Sequence, residues 1–94
     1  MSVRKGFASA LRQIRNSKNL TQEDFSQVSS RTYLSSLERA MKSPTLDKVE
    51  ELASVMEVHP ATLLMLAYCH SEKSELDALF SQVSLEMKKL AGSK

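Results

Sequence analysis

The chain has 94 residues, enough for one domain with a modest core and too few for two. With 41% hydrophobic residues, two Gly, two Pro and little Val or Ile, the composition excludes a disordered chain and favours helices over strands. A net charge of +2 argues against non-specific coating of a polyanion, yet residues 1–44 hold eight Lys/Arg against three Asp/Glu while residues 45–94 hold five against eight, so halves of net +5 and −3 point one end of the chain at a polyanion.

The apolar spacing predicts six short helices. The first covers about residues 3–18, with Phe7, Leu11 and Ile14 four and three apart on its inner face. Thr21 reads as an N-cap with Asp24 at the capping-box position, opening a second helix over residues 22–28 with Phe25 and Val28 inward. Ser29 or Ser30 caps a third helix that runs to about residue 39, with Leu34 and Leu37 on its inner side. Pro44 holds Ser43 extended and breaks the chain. Ser43 or Thr45 then caps a fourth helix, residues 46–56, whose stripe is Leu46, Val49, Leu52, Ala53 and Met56. Pro60 suits the first position of a fifth helix, residues 60–68, which is apolar nearly all round and so is expected to be buried. The sixth, residues 72–90, spaces Leu76, Phe80, Val83, Met87 and Leu90 by 4, 3, 4 and 3, a heptad seam of about two heptads.

Nothing in the chain assembles into catalytic chemistry. Cys69 is the single cysteine; among apolar neighbours it reads as a buried, inert thiol. His59 and His70 lie eleven apart with no metal-ligand partner, no nucleophile–base constellation can be placed, and the terminal Gly92-Ser93-Lys94 is no phosphate loop. The expectation is a non-enzyme without metal or cofactor. Arg4 and Lys5 precede no apolar stretch, and no run approaches the ~20 apolar residues of a membrane span, so the chain is expected to carry no signal peptide, to stay off membranes and to be cytoplasmic.

The stretch "SSRTYLSSLERA", residues 29–40, is unusual for a surface helix. It places Arg31, Thr32, Ser35, Ser36 and Arg39 opposite Leu34 and Leu37, although Ser is a mediocre helix former. Short hydroxyls and arginine make sense on a helix that enters the major groove of DNA. Arg reads guanine there, Ser and Thr bond several bases, and small side chains let the backbone approach. A short helix beginning at Gln22 comes just before it, and helix N-termini attract phosphate.

Residues 11–64 carry further motifs in order: "LRQIR", "LTQE", "LER", "KSPTL", "ELA" and "VHPATL". In these the chain resembles the Cro/repressor-type (XRE) helix-turn-helix family over more than half its length. The resemblance implies an all-α, lambda-repressor-like five-helix DNA-binding domain over residues 1–70, followed here by an amphipathic C-terminal helix and tail over 71–94. It implies base contacts from Arg31, Thr32 and Ser36, and DNA backbone contacts from Gln22, Ser30, Tyr33, Ser35, Arg39, Lys42 and Ser43. It also implies that Arg15 on the first helix holds Glu38 and so orients the recognition helix. Two departures stand out. "QVSSR" is shorter than the family's turn and lacks its Gly, which predicts a tighter turn and a rotated recognition helix, and Ala40 stands where a capping Gly is common.

The seam Leu76, Phe80, Val83, Met87 and Leu90 is expected to join two copies, so that a homodimer reads an inverted-repeat operator in double-stranded DNA. The expected function is a sequence-specific, dimeric (auto)repressor of a phage, restriction-modification or toxin-antitoxin type element. No small-molecule effector is expected. The alternative is an antitoxin or adaptor that binds a protein partner through the C-terminal helix.

Overall fold

The computed structural model describes residues 1–92. Five α-helices are seen among them and no strand: α1 Val3–Ser17, α2 Arg31–Glu38, α3 Leu46–Met56, α4 Pro60–Glu72 and α5 Leu76–Gly92. A single 3-10 turn, Gln22–Phe25, separates α1 from α2. The all-α fold is lambda-repressor-like. No single helix among the described residues is long and apolar enough to cross a membrane.

Short polar side chains start the helices. Ser2, Ser30 and Thr45 each accept a hydrogen bond from the backbone N–H three residues on, at 3.2, 3.1 and 3.0 Å. His59 caps α4 through Nδ1, which accepts from the Ala61 N–H at 2.9 Å, and Pro60 takes the first turn where its missing N–H costs nothing. Four helices end on a residue at positive φ, and none of the four is Gly: Asn19, Ala40, Glu57 and Lys73, at 58°, 59°, 57° and 54°.

The second predicted helix, residues 22–28, is replaced by one 3-10 turn and a chain of turns through Ser29. Too few residues separate Thr21 from the Ser30 cap for a second α-helix to form and still deliver α2 to the core. The backbone tightens instead: Ser26 N–H bonds the Glu23 carbonyl at 3.1 Å and Val28 N–H the Phe25 carbonyl at 3.0 Å. No residue from Ser26 to Ser30 takes positive φ, so this turn needs no Gly. Asp24 accepts from the Thr21 N–H at 2.7 Å and so fixes the start.

The core gathers Phe7, Leu11 and Ile14 of α1, Phe25 of the turn, Leu34 and Leu37 of α2, the α3 stripe, and Leu63 and Ala67 of α4. Leu46, expected in the α3 stripe, is 78% exposed, because as the first helical residue it sits at the rim ahead of the packed turns. α1 and α4 approach closely at Gly6. A Cβ there would press on the Ala67 carbonyl oxygen and lie 2.8 Å from Ser71 Cβ.

The C-terminal third departs most from the expected boundaries. α4 runs one turn past residue 68, to Glu72, because "HSE" holds no breaker, and α5 begins at Leu76 rather than at 72. α4 is not buried all round either. Only Leu63 and Ala67 are fully enclosed, Tyr68 is exposed, and the free Cys69 is half-buried rather than sealed in the core. The reason is that α5 covers little of α4: among its described residues only Leu79 is buried.

Candidate nucleic-acid interface

α2 is short, so what holds it matters. Its inner Leu34 and Leu37 are fully buried. At its C-terminal end the Glu38 carboxylate is 4% exposed and gathers three donors. Arg15 Nε donates to Oε2 at 2.6 Å, Arg15 Nη2 to Oε1 at 3.1 Å, and Gln22 Nε2 to Oε1 at 3.1 Å. Arg15 Nη1 also donates to the Leu20 carbonyl at 3.0 Å, and Arg12 Nη1 donates to the Glu38 backbone carbonyl. One carboxylate thereby ties α1, the α1 exit, the 3-10 turn and α2 together. A fork-shaped guanidinium fits this role because its donors match both carboxylate oxygens. Beyond the helix end at Glu38 the chain turns through Ala40 at positive φ, where the Met41 N–H bonds the Ser36 carbonyl at 2.9 Å and the Ala40 N–H the Leu37 carbonyl at 3.1 Å.

The outer side of α2 forms a shallow concavity lined by Gln22, Arg31, Thr32, Ser35, Ser36, Arg39 and Met41. Arg31 and Thr32 stand exposed on the first turn, and Arg39 is exposed at the far end. Ser35 and Ser36 are half-buried, and Ser36 Oγ donates to the Tyr33 carbonyl at 2.6 Å, which leaves its oxygen free to accept. Gln22 is half-buried with one amide hydrogen on Glu38, leaving its other amide hydrogen and its carbonyl oxygen. The cleft thus joins two cationic side chains to a row of short hydroxyls.

The remaining predicted residues lie elsewhere on the helix and its flanks. Ser30 caps α2. Tyr33 is half-buried against the core on the side away from the cleft, with the ammonium groups of Lys42 and Lys48 each 5.7 Å from its ring centroid. Lys42 and Ser43 are exposed in the segment leading to α3. Along α5, Phe80 and Met87 are 63% and 64% exposed, Leu76 and Leu90 are also exposed, and Val83 is half-buried. Leu79, outside the predicted seam, is the buried residue among those described in α5, and it lies beside Met65 and Tyr68 of α4.

Sequence reasoning missed two residues that position α2. Arg12 lies one turn before Arg15 on the same face of α1, a spacing that could have flagged it. Lys48 of α3 donates to the Val28 carbonyl in the tight turn, pairs with Glu51 at 2.9 Å and covers Tyr33; no local pattern announces it.

A helix-turn-helix family model matches residues 11–63, which takes in α1 from Leu11, the 3-10 turn, α2, α3 and the start of α4. Comparison with proteins of curated function and with solved structures gives no match. The matched segment spans more than half of the chain, and the clamped, hydroxyl-bearing α2 lies at its centre: the chain belongs to the Cro/repressor-type (XRE) helix-turn-helix family of DNA-binding regulators, a family that is usually non-enzymatic.

Proposed function

We propose that the chain is a sequence-specific repressor that binds an inverted-repeat operator in double-stranded DNA as a homodimer, with α2 as the recognition helix. The observation that carries this reading is the composition of the α2 cleft, two arginines and a row of short hydroxyls on a helix clamped from behind by Glu38. In this reading Arg31, Thr32 and Ser36 read bases. Gln22, Ser30, Ser35, Arg39, Lys42 and Ser43 bond phosphates, and Tyr33 supports the helix and adds a contact at its edge. Arg15 and Glu38 orient α2. The net +5 of residues 1–44 faces DNA, and the net −3 of residues 45–94 is kept away from it. The residues from 71 on serve the second copy, the work is cytoplasmic, and the regulated element is of phage, restriction-modification or toxin-antitoxin type.

The test is selection of the purified protein against a random duplex library near physiological salt, with the bound pool sequenced. Two inverted half-sites about one helical turn apart are expected. A folded protein that enriches no motif would overturn the reading. It would favour the second one, a protein partner held by α5, which draws support from the exposed Phe80 and Met87.

A further inference from the structure

An apolar groove lies between α4 and α5. Ala61, Met65 and Leu66 form one wall, and Leu76, Phe80 and Met87 the other. A soluble chain seldom leaves such a face open without an occupant. The pattern of α5 indicates what the occupant is. Leu76 and Leu90 each lie seven residues from Val83, and Phe80 and Met87 lie three and four residues from it, so the apolar seam runs almost evenly to either side of Val83. Asp77 and Lys88 lie eleven residues apart, about three helical turns, which puts them on one flank of α5 some ~16 Å apart along its axis. Lys88 borders the groove. Both are exposed, and neither forms an ion pair among the described residues. The midpoint between them falls between Gln82 and Val83. The centres of the charged flank and of the apolar seam therefore both fall beside Val83.

Resting on the dimer reading above, we propose that α5 pairs antiparallel with α5 of a second copy about a two-fold axis near Val83. Asp77 of each copy then meets Lys88 of the other. A two-fold contact must be self-complementary, and a helix flank with acid at one end and base at the other is so only when antiparallel. A parallel pair would set Asp77 level with Asp77 and Lys88 level with Lys88. The wider ends agree. Glu72 and Glu75, just before α5, and Asp77 in its first turn outweigh Lys73, and Lys88 and Lys89 outweigh Glu86 towards its end. The same axis brings Leu76 of one copy beside Met87 and Leu90 of the other, and sets Phe80 and Val83 around the centre.

The test is sedimentation of the full chain at low and moderate salt. Asp77→Lys and Lys88→Asp should each weaken the dimer roughly three- to tenfold, since each change affects two symmetric pairs, and the double reversal should return it to about the wild-type value. Both positions are exposed, so the variants should keep the wild-type circular dichroism spectrum. In a Cys69→Ala background, Val83→Cys should form a disulfide-linked dimer on oxidation and Asp77→Cys should not. A double reversal as weak as the single ones, or ready cross-linking of Asp77→Cys, would overturn the antiparallel register and leave the dimer standing. A wild-type chain that stays monomeric at micromolar concentration would overturn the dimer reading too, and leave the groove to a protein of another sequence.

Discussion

Removal of Arg15 is the sharpest probe of how α2 is held. In Arg15→Ala the Glu38 carboxylate, 4% exposed, loses both guanidinium bonds and keeps only the Gln22 amide on its oxygens. The Leu20 carbonyl loses its donor as well. Breaking a buried ion pair from one side costs about 3–5 kcal/mol, because the survivor's charge stays desolvated. Arg15 is 16% exposed, so water can follow into the vacated space, and the lower end, about 3 kcal/mol, is expected. Glu38→Ala should cost less, roughly 2 kcal/mol, since the freed guanidinium can swing to solvent and keep its bond to Leu20. The double variant removes the stranded carboxylate, so its cost should fall short of the sum by at least about 1.5 kcal/mol. Urea denaturation followed by circular dichroism at helix wavelengths is the assay, as the chain has no Trp to report by fluorescence. Additive single costs, with coupling below about 0.5 kcal/mol, would refute the claim that this pair clamps the helix.

The other predictions concern backbone, readout and the tight turn. Gly6→Ala should destabilise by about 1–3 kcal/mol in thermal melts although Ala is the better helix former by ~1 kcal/mol, because the new Cβ meets helix backbone at Ala67 that cannot yield; a stabilised variant would disprove the close crossing. Ala40→Gly should raise stability by about 0.5–1 kcal/mol in the same melts, since Ala40 sits at φ 59°, where a Cβ is strained; a loss would mean that the residue does not hold that conformation. Arg31→Ala should relax base preference at one position of each half-site by about 1–3 kcal/mol in competition binding; an unchanged preference would mean that the reading register of α2 is different. Lys48→Met keeps the packing stem but drops the bond to the Val28 carbonyl and the ammonium over Tyr33, and should cost roughly 1–2 kcal/mol of stability; no change would show the turn closed by its own backbone.

What could be read from sequence was what repeats locally. The caps at Thr21, Ser30 and Thr45 and the inner rows of α1 and α3 follow from spacing and short polar side chains. The 3-10 turn did not follow. Phe25 and Val28 sit three apart, which fits an α-helix as well as a 3-10 turn, and only the distance left before Ser30 decides between them. The reach of α4 to Glu72 and the late start of α5 escaped for a related reason. "HSEKS" looks like a break by composition, but its real break is Lys73 at positive φ, a conformation with no marker in a non-Gly residue. Glu38 was placed opposite Arg15 through the family pattern; its near-complete burial, and its bond from Gln22, are tertiary facts.

These points meet in one physical argument about a shortened motif. A full helix before α2 would brace it through an apolar stripe of several turns. Here that helix is one turn, and of its residues only Phe25 is fully buried. Dispersion and burial between so few side chains leave the tilt of an eight-residue helix poorly fixed, because apolar contact has little direction. Hydrogen bonds and ion pairs have direction. The chain sets them at both ends of α2. Lys48 holds the turn before its first residue, and Arg12, Arg15 and Gln22 converge on its last. The polar anchors thus supply the orientation that the lost helix turns would have given. Their burial cost is accepted where a reading helix needs a fixed angle more than extra stability. It follows that substitutions at these anchors should blur base discrimination at temperatures where the fold is intact. Trimming an apolar core residue such as Leu52 should instead lower stability with little change in discrimination.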